Sequence, residues 1–356
     1  ELAVALGNAR AADGRGAAAA RAYLDAAPEV DPAMARDLRR RAAEELLCAG
    51  RFAEGLEALT ELAPGVMKMP LVAVLGVLLW EAALASVTAL LLTLGLRPRP
   101  APSPARVWPI DLTWTASSGL GHTDTIRGAA LATRQVRCAL GVDDSLRESR
   151  ALSLQAGYLG ATSSLLTGVA GLLVSRAARQ AREATRPDLV AFAEGCLGYA
   201  HYFAGRWRDA CATFETCRVG YLTHGVPQPW LLDRILAWKL ASLVQLGRLH
   251  ELGRLLPPLE EECRDRGNWF LANFLYAAEP NFYWLATQGA AAAREKLEAM
   301  RSTWITPGYT LQNVLGLIVA MQIDLYEGAG LRALARLDEE RRDLRRGMFG
   351  VIEYAR

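Results

Sequence analysis

Paired cysteines, clustered histidines and an excess of either charge are what this sequence has least of. Its six cysteines, Cys48, Cys138, Cys196, Cys211, Cys217 and Cys263, are scattered over helical segments without a C-x-x-C pair. That spacing supports neither a zinc site nor a disulfide framework, and a reduced cytoplasm is the simplest home for such thiols. The four histidines, His122, His201, His224 and His250, lie far apart. Forty Lys and Arg against 38 Asp and Glu leave a net charge of +2. A phosphate backbone needs a clustered basic stripe, so nucleic acid is not an expected partner. The G-x-x-x-x-G-K-[ST] loop, the H-R-D and D-F-G signatures, H-E-x-x-H and G-x-S-x-G are all missing. With them go the readiest devices for nucleotide handling, metal-assisted hydrolysis and a serine nucleophile. No cofactor and no catalysis is expected of this chain. It starts at Glu1 inside a helical pattern, with no basic stub, apolar run and cleavage site, and reads as a piece of a longer protein.

What is plentiful forms helix. Alanine, leucine and arginine dominate, β-branched residues are sparse, and the 16 prolines fall mostly between apolar-periodic segments, so the expected fold is all-α. Turn signals of one flavour recur: Asp13 to Gly16 (DGRG), Ala49 to Phe52 (AGRF), Ala204 to Trp207 (AGRW) and Leu246 to Leu249 (LGRL). In each, glycine ends one helix in a left-handed conformation and the next helix begins shortly after. Gly14 and Gly50 are 36 residues apart, and Gly205 and Gly247 are 42 apart, a period that means stacked helix pairs. The sharpest unit is Gly195 to Cys217, with Leu197, Gly198, Gly205, Ala210, Phe214 and Cys217. The first unit places Leu6, Gly7, Gly14, Ala19, Tyr23 and Ala26 at matching offsets. This spacing resembles the tetratricopeptide repeat, which implies a degenerate solenoid of helical hairpins, an α-α superhelix.

Three regions are expected: N-terminal helical repeats over 1–66, an insertion over 67–109, and a longer repeat array over 110–356. The insertion opens on Leu71 to Leu96, 26 residues with ten leucines and a single charge, Glu81. As a helix it would extend about 39 Å, enough for a membrane core. Repeat units on both sides favour burial between the early and late repeats; the alternative is a single-span membrane protein. Either way, Glu81 needs a partner. Arg97 to Pro109 follows, and its five prolines predict an extended connector. Asp143 or Asp144 is the expected cap of a helix over Ser145 to Leu159.

The segment Arg294 to Gly330, with Trp304, a break at Gly308, Leu311-Gln312 and the run Gln322 to Tyr326 ending at Gly328, resembles a known region. It is similar to the C-terminal helical part of large bacterial serine/threonine protein kinases, where a kinase domain is followed by an AAA-type ATPase module and tetratricopeptide-like repeats. Arg39 to Leu59, Ile126 to Gln135 and Asp265 to Asn273 support the likeness. Similar proteins tend to carry arginines along the helix that here is Leu71 to Leu96. The resemblance implies a regulatory region of a signalling protein whose kinase and ATPase machinery lies upstream. The helical arm of ATPase-type transcriptional activators shares the architecture and is the alternative.

Candidate binding residues come from an aromatic cluster, Pro229 to Leu240 and Asn268 to Ala286. Trp230 and Trp238 are eight apart and share a helix face. The simpler account is that these aromatics fill the interhelical core. The functional account is that Trp230, Asp233, Arg234, Trp238, Asn273, Tyr276, Asn281 and Trp284 line a groove that grips an extended protein or peptide, or the protein's own kinase or ATPase domains. Pro280 is expected to break its helix and splay polar atoms toward that groove. His201 reads as a packing residue, Gly119 to Thr125 as a capped helix-to-helix turn, and Leu337 to Gly347 as a solvated helix face. The function expected is that of a non-catalytic interaction scaffold in signal transduction. A membrane-attached sensor region anchored through 71–96 is the further alternative.

Overall fold

One backbone device punctuates the chain. At Gly14, Gly50, Gly205 and Gly247, φ lies between 67° and 82°. The next amide reaches back five residues to close the helix: Arg15 to the Arg10 carbonyl, Arg51 to Leu46, Arg206 to His201 and Arg248 to Leu243, each at 2.9 Å. This is the Schellman cap, which satisfies carbonyls that the helix end would otherwise orphan. Gly95, Gly267 and Gly328 repeat it, and Thr185 does so with φ 55°.

A computed structural model describes residues 2–121, 123–224, 228–304 and 308–347. Among the described residues there are α-helices, short 3-10 turns and no strand. The first hairpins are α1 (Leu2–Ala12) with α2 (Gly16–Ala26) and α3 (Pro32–Cys48) with α4 (Phe52–Leu62), followed by the short α5 (Pro64–Met67). Then come α6 (Leu71–Thr93), α7 (Pro104–Leu120), α8 (Thr125–Leu140), α9 (Ser145–Thr162) and α10 (Thr167–Glu183). The pairs α11 (Pro187–Phe203) with α12 (Trp207–His224) and α13 (Pro229–Gln245) with α14 (Leu249–Arg266) continue the stack. It ends in α15 (Trp269–Ala277), α16 (Phe282–Gln288), α17 (Ala290–Arg301), α18 (Leu311–Tyr326) and α19 (Gly330–Arg346).

Successive helices pack on one another, and α9, α11, α13 and α15 adjoin as a row. Small residues sit where helices cross. A Cβ at Gly198 would lie 2.5 Å from the Phe214 ring, and one at Gly7 would lie 2.5 Å from the Tyr23 ring. The same glycine-to-aromatic crossing therefore occurs in the first hairpin and in the α11–α12 hairpin. As expected, Asp144 caps α9, accepting from the Arg147 amide at 3.0 Å, and Asp124 caps α8 through the Arg127 amide. His122 lies outside the described residues.

Two expectations about the insertion are overturned. The connector is shorter than 97–109, because α7 starts at Pro104 and contains Pro109. Proline at the first helical position has no amide to satisfy, and Pro109 deprives only the Ala105 carbonyl of a helical partner. Nor is α6 buried between two blocks of repeats. Helix α3 packs directly on α7, and α6 lies on the outside along α8. Only Val74, Glu81 and Thr88, spaced by seven, are buried. Glu81 has its partners there: its carboxylate accepts from Arg134 Nε at 2.7 Å and Arg137 Nε at 2.5 Å. Burial alone would raise its pKa, but hydrogen bonds from Arg137 and Arg134 hold it below the ordinary carboxylate range.

The stack also closes on itself. The Phe270 amide donates to the Ala49 carbonyl at 3.2 Å, joining the α3–α4 turn to the start of α15. Arg266 lies against Gly14, and Gly119 of α7 against Leu47 of α3. One buried apolar cluster runs from Leu47 through Trp114, Phe214 and Trp238 to Ile323. The early hairpins thus pack against the later helices, where an open array would leave a groove.

Candidate functional site

Apolar side chains at helical spacing on five helices converge on one cavity. From α13 come Trp230, Arg234 and Trp238 at steps of four, and from α11 Phe192, Cys196, Tyr199 and Phe203. Helix α9 adds Leu154, Gly157, Tyr158 and Ala161; α7 adds Trp114, Ser117 and Ser118; α18 closes the rim with Leu311 and Leu315. The cavity volume is about 110 Å³, below the range of small-molecule sites and on the scale of a single side chain.

Rings build the wall. Trp114 meets Phe192 edge-on at 5.4 Å and Trp230 at 6.2 Å. Trp238 sits within 6 Å of the Tyr199, Tyr202, Phe203 and Phe274 rings. One buried cation joins them. Arg234 is 7% exposed, donates through Nη1 to the Ser118 carbonyl at 2.6 Å, and lies over the Trp230 and Phe270 rings at 5.3 and 5.1 Å. It ties α13 to α7 while presenting a delocalised charge beside an aromatic wall.

The phenols and the thiol of the cavity are held neutral. Burial pushes the Tyr158 and Tyr199 phenols and the Cys196 thiol upward. Tyr158 donates its hydroxyl to the Ser117 carbonyl at 2.5 Å. Among the described residues no carboxylate or histidine is in the lining. The cavity can sequester an apolar or aromatic group, but it offers no poised base and no thiolate.

On the other side of Trp114 is a charged cleft. Glu44 accepts from Trp114 Nε1 at 3.0 Å, Thr115 at 2.9 Å and Arg40 at 3.0 Å. Arg147 and Arg150 reach Asp111 at 2.8 Å, and although burial opposes it they hold that carboxyl below its ordinary range. Glu45 differs: burial, with Glu44 adding repulsion, pushes its pKa up to about 8. The folded protein therefore keeps a proton that the unfolded chain releases near pH 4.5, so stability falls as pH rises from about 4.5 to about 8 and then levels. Glu45→Gln is expected to remove that fall, leaving the variant on the order of 3 kcal/mol more stable than the parent at pH 8. Urea unfolding at pH 5 and pH 8 measures it, and parallel pH profiles for parent and variant would show that Glu45 ionises normally.

Of the eight residues singled out from sequence, Trp230, Arg234 and Trp238 line the cavity. Asn273 lies in a separate cleft with Gly50, Trp269 and Trp304, and accepts from Trp304 Nε1 at 2.8 Å. The others do not face an open groove. Asp233 is 3% exposed and accepts from Arg266 and Asn268 at 2.7 and 2.6 Å. Tyr276 donates to Glu260, with Lys296 over its ring and over that of Trp284, which is buried. Asn281 is buried and donates to the Tyr276 and Ala293 carbonyls. The break at Pro280 is there, but it turns polar atoms inward: Glu279 accepts from the Tyr202 hydroxyl at 2.7 Å. The reason is closure, because the face expected to be open is covered by the chain's own helices.

His201 stands at the α11–α12 turn, where Arg206 contacts its Nδ1 at 2.9 Å. Sequence reading missed Trp114, Tyr158, Phe192 and Tyr199. The signal for the α11 pair was their seven-residue spacing, and for Trp114 the helical step from Ile110. No family model and no curated protein matches the chain.

Proposed function

We propose that this chain is a non-catalytic helical-repeat scaffold of tetratricopeptide-like build, acting as a regulatory interaction region of a bacterial serine/threonine kinase and ATPase signalling protein. The recurrent Schellman turns and the Gly7–Tyr23 and Gly198–Phe214 crossings support the repeat reading. The observation that carries the function is the cavity itself. Among the described residues, Trp114, Trp230 and Trp238 enclose apolar space with no carboxylate or histidine beside it, which suits an aliphatic or aromatic side chain presented by a protein or peptide partner. The upstream kinase or ATPase domain is one source of such a side chain.

Gly157 gives the test. It lies mid-helix in α9 on the cavity lining, and a Cβ there would make ordinary contact with Tyr199 at 3.5 Å. Gly157→Leu should fill the cavity without backbone strain and raise stability by about 1 kcal/mol through helix propensity. Peptides selected from a random library on the parent protein are expected to share an aromatic or aliphatic anchor and to bind the variant at least tenfold more weakly by calorimetry. Peptides that bind both proteins equally would overturn the cavity as the recognition site.

A further inference from the structure

Among the described residues nothing covers the outward face of α6. Its buried stripe, Val74, Glu81 and Thr88, faces α8; on the opposite side Val72, Leu79, Trp80, Val87 and Leu90 are 53–78% exposed. The helix spans 23 residues, about 34 Å, and an apolar surface of that reach exceeds what a soluble monomer ordinarily leaves uncovered.

Polar atoms on this helix are satisfied from within. Ser86 donates to the Ala82 carbonyl at 2.9 Å and Thr93 to the Ala89 carbonyl at 2.8 Å. Thr88 accepts from Arg97 at 3.2 Å, and Glu81 is turned inward to Arg134 and Arg137. The one side-chain polar group left on the exposed face is the Trp80 indole N–H, which an acceptor at headgroup level can satisfy.

Charge selects the occupant. Over residues 63–106 Glu81 is the sole acid, and the two arginines of α8 neutralise it. Lys68 before the helix and Arg97 and Arg106 after it are exposed cations. A second copy docking through the same face would bring these like-charged ends together in either orientation. An anionic lipid surface accepts both the apolar face and its cationic ends.

We propose that α6 is a monotopic membrane anchor: it lies flat in the headgroup region of an anionic bilayer, with Leu79 and Trp80 inserted and Lys68 and Arg106 on lipid phosphates. Spanning is disfavoured because it would pull α6 off α8 and separate Glu81 from Arg134 and Arg137, placing an unpaired acid in hydrocarbon. This goes beyond the scaffold reading and does not depend on it.

Flotation of the full chain with vesicles tests the proposal. Phosphatidylcholine vesicles with one quarter phosphatidylglycerol are expected to bind it at least tenfold better than phosphatidylcholine alone, with binding weakened by 0.5 M NaCl. Leu79→Glu with Trp80→Glu should reduce binding at least tenfold while leaving the thermal midpoint within a few degrees, since both side chains are exposed. Lys68→Gln with Arg106→Gln, which leaves the apolar face intact, should weaken binding to the anionic vesicles alone. Absence of binding by the parent chain overturns the proposal. So does a dimer in solution that Leu79→Glu dissociates without any lipid binding, which would assign the face to a second copy. Attachment that resists carbonate extraction at pH 11 would mean a span and overturn the flat geometry.

Discussion

Alanine at position 238 is expected to lower folding stability by about 3–5 kcal/mol, the range for deleting a large aromatic from a packed core. Trp238 is 5% exposed and lies among four rings, from Tyr202 at 4.8 Å to Tyr199 at 5.9 Å, with Phe203 and Phe274 between. Those rings come from α11 and α15, so truncation leaves a gap that neither helix can fill without leaving its other neighbours. Were Trp238 a groove residue, alanine would remove a partner and leave the fold alone. Chemical denaturation decides between the two, and a loss below 1 kcal/mol would show that the ring cluster is not a structural centre. Only against that stability measurement can a binding defect at position 238 be interpreted, which is why Gly157→Leu is the better probe of the cavity.

The second large effect concerns turns that look alike in sequence. Gly50→Ala should cost about 2–4 kcal/mol, whereas Gly205→Ala and Gly247→Ala should each cost about 1–2 kcal/mol. All three glycines have positive φ, at 82°, 72° and 67°, so all three substitutions carry the left-handed strain. Only Gly50 meets another part of the chain: a Cβ there would overlap the Phe270 amide nitrogen and lie 2.8 Å from the Trp269 carbonyl carbon, while nothing lies within 4 Å of the other two. Relieving the overlap means moving the turn and losing the hydrogen bond from the Phe270 amide to the Ala49 carbonyl. Equal losses at all three positions, measured by urea unfolding, would mean that this contact contributes nothing to stability.

These cases also mark how far the amino-acid order could be read. The turns at Gly14, Gly50, Gly205 and Gly247 were legible because a Schellman cap is local: the glycine, the helix it ends and the apolar start of the next helix are all within a few residues. The N-cap at Asp144 was legible for the same reason. The start of α7 was misplaced because proline carries opposite meanings at the first helical position and inside a helix, and Pro104 takes the former. The burial of α6 was misjudged because its neighbour depends on where α8 lies; Arg134 and Arg137 are more than 50 residues from Glu81 and carry no mark of that pairing. The candidate site was half legible. The shared face of Trp230 and Trp238 is a property of one helix, but whether it is open or covered is decided by α3, α7 and α18, which reach it from more than 70 residues away in sequence on either side. Asp233, Asn281 and Trp284 are instead held by nearer segments: Asp233 by Arg266 and Asn268, Asn281 by the Tyr276 and Ala293 carbonyls, and Trp284 against Tyr276 and Lys296.

The clasp between the Ala49–Gly50 turn and Phe270 has a consequence for synthesis. The two sides are about 220 residues apart, so at a translation rate of 5–20 residues per second the first hairpins wait about 10–40 s before the segment that meets them leaves the ribosome. During that interval the α3–α4 turn and the apolar residues beside it, Leu47 and Phe52, lack the neighbours they have in the native core. Early hairpins in an open solenoid are finished as soon as the next one stacks on them. Here the first hairpins are completed only once α15 has been made, and nascent chains arrested before residue 270 should expose this turn to chaperones and proteases.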